Sequence, residues 1–247
     1  MTYQEFCRRF GLEGRVLSIR RVKGETPTRG AEVFSARCSL SAILYALKGH
    51  EVVLTEHNSP CKGGLVGLGL RDGLPDIPGG FGHFISYGRG EGFRPGERLK
   101  ADPECGERMI LSQPQRVAEG FDGVRLSPYA EGDGADTVAL FCGPDQLSAM
   151  IYLFHFSKDG SRYDTAIAPA VSGCASLFRI PFGELERDEP RAVIGLTDIN
   201  ARVHFPADWT ALTVSAGDFA RMLRDAGESF VTTPLWEQIA ARHGDGW

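Results

Sequence analysis

The sequence predicts an α+β (mixed α/β) fold made of two related strand–helix–strand halves. Two segments, residues 34–47 and 141–154, share the apolar spacing of an amphipathic helix and several identical residues. Each is followed by a strand-like run and then by a loop that holds a cysteine. Strand-like runs and amphipathic helices also alternate in the last third, without the strict period of a parallel βαβ sheet. We therefore expect one domain over 1–247, with repeat halves at approximately 15–100 and 120–227.

The first half contains a helix and a strand before its cysteine loop. The segment "FSARCSLSAILYAL" places apolar residues at the i, i+3, i+4 and i+7 positions of one helix face: Leu40, Ile43, Leu44 and Leu47. Gly49 suits the end of this helix, since glycine adopts the left-handed conformation that terminates helices. The run "EVVLTE" at 51–56 predicts a strand, and the loop "SPCKGG" with Cys61 follows it.

The second half repeats this order. The segment "FCGPDQLSAMIYLF" predicts a helix with Pro144 in its first turn and apolar residues at Leu147, Met150, Ile151 and Phe154. Five positions are identical in the two segments: Phe34/Phe141, Leu40/Leu147, Ser41/Ser148, Ala42/Ala149 and Tyr45/Tyr152. The strand-like run "YDTAIAPA" at 163–170 and the loop "VSGCAS" with Cys174 come next. An internal duplication explains this match, and chance similarity between two helices rich in Leu and Ala is the alternative.

A glycine-rich region separates the halves. It holds 12 of the 31 glycines between residues 63 and 96. It lacks the spacing of a phosphate-binding loop, because Asp72 stands where a dinucleotide fingerprint has glycine. We interpret it as backbone that another group approaches closely. The segments "DPECGER" (102–108) and "YAEGDGAD" (129–136) are typical of turns.

The last third supplies two strands and two helices. The runs at 191–196 and 209–214 are apolar enough for strands. A helix is expected to begin at Ser215, whose spacing from Asp218 resembles a capping box. A final short helix begins at Pro234.

Composition argues against several classes of function. The formal charge is −5 and no run of basic residues occurs, so nucleic acid and anionic membranes are not expected partners. The longest apolar runs fall short of the about 20 residues of a membrane span, and the N-terminus lacks the apolar core of a secretory signal. We expect a cytoplasmic protein with a small-molecule ligand, and a homo-oligomer stays open. Its six cysteines are then expected to be reduced thiols, metal ligands or catalytic groups rather than disulfides.

Three cysteines are candidates for one shared site. Cys61 follows Pro60 and precedes a lysine and two glycines, where a cation and free N–H groups stabilise a thiolate. Cys38 precedes the first repeated helix, and Cys174 lies in the corresponding loop of the second half. Together, three thiolates could hold a [4Fe–4S] cluster with one iron open to substrate, or a soft metal ion. Taken singly, a cysteine is more often a small buried hydrophobic residue.

The other cysteines and motifs give weaker signals. Cys142, at the head of the second repeated helix, is a candidate fourth ligand. Cys7 falls in an amphipathic first helix and Cys105 in a charged turn, so neither is expected in the site. No CxxC, GxSxG or HExxH motif occurs, so zinc-ribbon, serine-hydrolase and zincin chemistry are not indicated. His57, just before Cys61, leaves a thiol enzyme open as an alternative.

Residues near the cysteines suggest an anionic ligand. Lys62 supplies positive charge, and Gly63 and Gly64 allow a ligand to approach the backbone closely. Arg202 could bind a carboxylate with two hydrogen bonds. It lies in "GLTDINARVHFP", where polar residues alternate from Asp198 onward and on a strand would face one side. A solvated strand edge explains the same pattern.

These segments together resemble the DUF169 family, whose uncharacterised members are common in anaerobic bacteria and archaea. The resemblance covers roughly residues 30–225 and rests on "RCSLSAILYALKGHEVVLTEHNSPCKGGLVGLGL", "PDQLSAMIYLF", "VSGCAS" with "RIPFGE", and "GLTDINAR". The positions that match the family are Cys38, Cys61, Cys174, Gly63, Gly64, Gly69 and Arg202. Members often open with a "PVAV"-like strand, where this chain has the more basic "RVLSIRRV". An anaerobic distribution suits an oxygen-sensitive cluster.

The leading functional hypothesis is an iron–sulfur cluster or other metal on Cys38, Cys61 and Cys174. It would bind or convert a small anionic molecule by Lewis-acid activation, with Lys62 or Arg202 steering the anion. One alternative is a metal-free sensor or ligand-binding module that uses the glycine-rich cleft. Another is a thiol enzyme that uses Cys61. Convergence of the three sulfurs would favour the cluster, because its cysteine ligands surround one cube.

Overall fold

A seven-stranded mixed sheet forms the centre of the molecule. The computed structural model describes residues 1–30, 38–88, 96–114, 120–158 and 162–243. In these residues the strands are β1 (Val16–Val22), β2 (Val52–Thr55), β3 (Gly123–Pro128), β4 (Thr137–Cys142), β5 (Ala166–Ile167), β6 (Ala192–Gly195) and β7 (Thr210–Ser215). They lie in the order β2-β3-β1-β4-β7-β6-β5, and neighbours are antiparallel except β5 and β6. The predicted α+β class is confirmed.

Helices cover both faces of this sheet. They are α1 (Tyr3–Phe10), α2 (Ser41–Leu47), α3 (Lys62–Gly67), α4 (Phe81–Ile85), α5 (Pro103–Leu111), α6 (Pro144–His155), α7 (Ile180–Glu184), α8 (Ile199–Arg202), α9 (Ala216–Asp225) and α10 (Pro234–Ala241). A π-helical turn, Ala175–Arg179, leads into α7. The helices predicted from apolar spacing and caps correspond to α1, α2, α6, α9 and α10. At α9 the Ser215 side chain accepts a hydrogen bond from the Asp218 N–H, as its sequence predicts.

The alternation of side chains along β4 separates two cores. Ala139 and Phe141 face one core, which also contains residues of α2, α3, the π-helical turn and α7. Val138, Leu140 and Cys142 face the other, with residues of α1, α6, α9 and α10. Both cores are continuous and deeply buried, so the sheet is covered on both sides.

The predicted internal duplication is not confirmed by this arrangement. β1 and β4 are antiparallel neighbours, so a twofold axis normal to the sheet would place α2 and α6 on the same face. They lie on opposite faces. Phe34, one member of the five identical pairs, lies outside the described residues. The duplication therefore stays a prediction.

Several local predictions differ from the structure. Residues 102–108 were expected to form a turn but begin helix α5, because Asp102 caps its N-terminus and Pro103 occupies its first turn. The expected strand at 163–170 is reduced to the two residues of β5. The basic "RVLSIRRV" forms the interior strand β1, whose first four residues are buried.

A small helical layer completes the fold beside the first core. Helices α4 and α5 pack on each other and, with Val66 of α3, form a cluster of buried residues: Val66, Phe81, Ile85 and Ile110. No helix in the described part of the chain combines the length and the apolar character needed to cross a bilayer.

Candidate functional site

A cavity of about 580 Å³ lies between the α4–α5 layer and the first core. This volume falls in the range of small-molecule sites. Its apolar lining residues include Leu40, Ile77, Phe81, Phe84, Ile85, Leu99, Met109, Ile110 and Ile199. Its polar lining residues include Cys38, Cys61, Lys62, Asp76, Glu97, Lys100, Ser172, Cys174, Thr197, Asp198, Asn200 and His204. All three cysteines predicted to form a site line this one cavity.

Cys61 is placed by the start of α3. It is the N-cap residue, in extended conformation, and its Sγ accepts a hydrogen bond from the Gly64 N–H at 3.0 Å. Gly64 also allows the chain around Ser39 to approach, because a Cβ on Gly64 would lie 2.5 Å from the Ser39 Oγ. The Ser39 Oγ is in turn 2.7 Å from the Ser59 Oγ. Gly64 therefore allows the Cys38 segment to lie against α3.

Cys38 is half-buried immediately before α2. The Ser41 hydroxyl donates to the Cys38 carbonyl at 2.7 Å, which fixes the chain at this point. Burial raises the pKa of the Cys38 thiol, and the nearby Cys61 and Asp198 raise it further, while the Leu40 N–H acts in the opposite direction.

Cys174 is the most enclosed of the three, with 5% of its surface exposed. It directly precedes the π-helical turn. Burial raises the pKa of its thiol well above the ordinary value, and Cys38, Cys61 and Asp198 add to this shift in that order. Cys61 thus opposes the ionisation of both Cys38 and Cys174, as expected for sulfurs on the wall of one cavity.

Asp198 links two sides of the cavity. It caps α8, where its Oδ1 accepts from the Asn200 N–H at 3.0 Å. Its Oδ2 accepts from the Gly173 N–H at 3.0 Å, next to Cys174. The expectation of a strand at this point is wrong, because the Asp198 cap starts a helix that ends at Arg202. Alternate residues from 198 to 202 therefore do not share the face of a strand.

The two predicted anion-binding cations are engaged by the protein. Lys62 lines the cavity with Gly63 and Gly64, but its Nζ lies 2.5 Å from a carboxylate oxygen of Asp76. The Arg202 guanidinium donates to the backbone carbonyls of residues 206, 207 and 209. Arg202 is not among the described residues that line the cavity. Their roles in ligand binding stay predictions.

The remaining cysteines and His57 lie elsewhere. Cys142 is fully buried in the core on the opposite face of the sheet, and burial raises its pKa to about 12. Cys7 belongs to that same core, and Cys105 lies on α5, where its Sγ contacts the Asp102 carboxylate. His57 lines a separate surface pocket. The candidate fourth ligand and the Cys61–His57 pair therefore find no support in the described residues.

A single metal ion does not fit the described side chains. Ligands of one ion surround a point at short range, about 2.3 Å for zinc and a thiolate. The described part of the chain contains no group of three or more His, Cys, Asp or Glu side chains placed to hold one ion. Cysteines that hold an iron–sulfur cluster bind different irons, so they need only surround a larger body. The three thiols line the wall of one cavity.

Two cavity residues carry no sequence signal. Glu97 and Lys100 come late in the glycine-rich region, in a segment without regular secondary structure. Burial raises the pKa of the Glu97 carboxyl to about 7, and Asp198 raises it as well, while the Asn200 side chain partly offsets the shift. A carboxyl with a pKa near neutrality in a cavity is typical of a functional group.

Comparison with known proteins identifies a family. A family model described as DUF169, Uncharacterised ArCR, matches residues 6–225. No curated protein and no solved structure gives a significant match. The match spans the first core, the cavity and all three of its cysteines. The chain therefore belongs to the DUF169 family.

Proposed function

We propose that this protein binds a small anionic molecule in the cysteine-lined cavity, beside an iron–sulfur cluster held by Cys38, Cys61 and Cys174. One observation carries the proposal: thiols from three separate segments line one cavity that is large enough for a small molecule. We place the protein in the cytoplasm, where such thiols stay reduced.

Thiolates at these positions need a positively charged group to stabilise them. Burial disfavours the thiolates of Cys38 and Cys174, and each is further disfavoured by Cys61. A metal centre stabilises several thiolates at once, and its binding releases their protons. An open iron, when such a cluster is bound, supplies a Lewis acid for the ligand. The residues of this chain hold the sulfurs in place through the Cys61–Gly64 hydrogen bond and the Asp198 bridge to the Cys174 loop.

Anaerobic reconstitution tests the cluster. We expect about four iron and four sulfide per chain, with absorbance near 400 nm, since a [4Fe–4S] cluster has this composition. Cys61→Ser and Cys38→Ser should each lose most of the iron. Cys105→Ser is the matched control, because Cys105 is also a half-exposed thiol but lies outside the cavity. A colourless wild-type protein, or equal iron loss in the Cys105→Ser variant, would contradict the proposal.

A metal-free ligand-binding or sensor module is the second candidate. The described residues offer no site for a single ion, and the wall formed by α4 and α5 is apolar: Phe81, Phe84, Met109 and Ile110. Such a cavity binds an organic molecule through burial of apolar surface alone.

Thiol alkylation separates the two candidates. In metal-free protein at pH 7.5 we expect iodoacetamide to modify Cys61 at least about tenfold faster than Cys174. Cys174 is nearly enclosed and its raised pKa leaves little thiolate, which is the reactive form. Peptide mass spectrometry measures both rates. Protection of Cys38 and Cys61 after reconstitution supports the cluster, and unchanged rates favour the metal-free module. Equal rates at Cys61 and Cys174 in metal-free protein would contradict the enclosure of Cys174.

A further inference from the structure

The segment of residues 96–100 is fixed to the end of α4 by backbone hydrogen bonds. The N–H groups of Glu97, Arg98 and Leu99 donate to the carbonyls of residues 84, 86 and 85 at 2.8, 2.7 and 2.9 Å. A segment held in this way presents its side chains in fixed directions. It forms one wall of the cavity.

Three side chains of this segment line the cavity, and the side chain of Arg98 does not. In an extended chain, successive side chains point to opposite sides. Arg98 has φ 56°, a left-handed conformation that is uncommon for a residue other than glycine. Glu97, Leu99 and Lys100 all line the cavity, whereas Arg98 is exposed and does not. An acid and a base therefore line the cavity from one short segment.

Most charged groups around the cavity have a partner within the protein. Lys62 pairs with Asp76, and both oxygens of Asp198 accept backbone N–H groups. Glu97 has a pKa of about 7, so much of it is neutral near that pH. Lys100 lines the same cavity and makes no ion pair with any described residue. Lys100 is therefore the lining cation that a bound anion can pair with.

We propose that the ligand is a carboxylate with an apolar body, bound through its carboxylate to Lys100 and through its body to the wall of Phe81 and Phe84. This inference rests on the proposed use of the cavity for a small anion, but it does not need the cluster. Glu97 lies beside Lys100 in the segment and, when protonated, donates a hydrogen bond to the ligand carboxylate. Lys62 contributes less to binding of the carboxylate, because it is already paired with Asp76.

Affinity should then fall as the pH rises through about 7. The pKa of Glu97 is raised by burial and by Asp198, so the carboxyl loses its proton in this range and begins to repel an anion. The other titratable or charged groups that face the cavity are Lys62, Asp76, Lys100, Asp198, His204 and the three cysteines. Glu97→Gln tests the assignment to Glu97, because it removes that carboxyl and leaves the other charged groups of the cavity unchanged.

Calorimetric titration with three matched probes tests the inference: 3-phenylpropionate, 3-phenylpropanol and 3-phenylpropylamine. We expect the acid to bind more tightly than the alcohol and the amine, and more tightly at pH 6 than at pH 8. Lys100→Gln should weaken binding of the acid by about tenfold or more, as for loss of one charge-assisted hydrogen bond. Glu97→Gln should flatten the pH dependence.

Arg98→Gln is the matched control, since it removes an equal charge from the same segment but outside the cavity. Equal losses in Lys100→Gln and Arg98→Gln would overturn the inference, because they would indicate a general charge effect. Binding of the amine as tightly as the acid, or no binding of any probe, would also overturn it. The probes are titrated into both metal-free and reconstituted protein. Carboxylate binding is therefore tested even if the protein takes up no cluster.

Discussion

Replacement of Arg179 by methionine is expected to lower the free energy of unfolding by about 3–5 kcal/mol. Arg179 is the last residue of the π-helical turn, and 1% of its side chain is exposed. Methionine fills a similar space but donates no hydrogen bond. The variant should therefore leave buried carbonyl oxygens without their donor, which costs far more than the lost contact itself.

The guanidinium of Arg179 joins three parts of the chain. Its Nε donates to the Pro114 carbonyl at 2.5 Å, and its Nη1 donates to the carbonyls of Val66 and Arg71 at 2.8 and 2.9 Å. Its Nη2 pairs with Asp72 at 2.8 Å. Among the side chains, only the planar guanidinium of arginine carries enough N–H donors in a fixed geometry to make all these bonds at once. The end of α3 and the segment that follows it are thereby tied to the turn after Cys174.

Urea unfolding followed by circular dichroism measures this effect. Arg125→Met is the control, because Arg125 also makes two ion pairs, with Glu25 and Glu51, but is one-third exposed. Exposed pairs contribute about 1 kcal/mol or less, so this variant should unfold close to the wild type. A loss of less than about 1 kcal/mol in Arg179→Met would show that water or other donors replace the guanidinium.

The sequence predicts the elements of this fold better than their arrangement. Apolar spacing identifies α2 and α6 because each helix buries one face. It identifies β7 because the interior of this short strand is buried on both sides. It does not predict that β1 lies between β3 and β4, since strand order depends on contacts between residues distant in sequence. Nor does the similarity of two helices reveal that they lie on opposite faces of the sheet.

The wrong local predictions come from sequence patterns that are compatible with two kinds of secondary structure. Asp and Pro at 102 and 103 are typical of turns, yet the same pair caps a helix and fills its first turn. Helix α8 has only four residues, fewer than are needed for a helical period to be distinguished from alternation. In both places the three-dimensional context decides which structure forms.

The sequence predicts a residue of the site only where the neighbouring residues in the chain indicate its role. Cysteines in glycine-containing loops are visible in the sequence, and all three line the cavity. Arg202 was expected to bind a ligand, but residue type does not show that backbone carbonyls occupy its guanidinium. Lys100 was missed because its segment is held against the end of α4 by backbone hydrogen bonds, which residue type does not show.

Gly67→Ala is expected to destabilise the protein by about 1–3 kcal/mol and to lower the iron content after reconstitution. A Cβ on Gly67 would lie 2.5 Å from the Cys174 Cβ and 2.9 Å from the Ala175 backbone nitrogen. Neither atom can rotate away as the end of a flexible side chain could. The methyl group must therefore push α3, whose N-cap is Cys61, away from the Cys174 loop.

Gly63→Ala is the matched control on the same helix. A Cβ at Gly63 would meet only the Cys61 Sγ, at an ordinary distance of 3.8 Å. Alanine favours helix over glycine by about 1 kcal/mol, so this variant should be as stable as the wild type or more so. Urea unfolding and iron analysis of both variants give the comparison. Because both substitutions change helix propensity in the same direction, their difference reports the contact between α3 and Cys174. Equal stability and equal iron content in the two variants would show that this contact does not position the thiols.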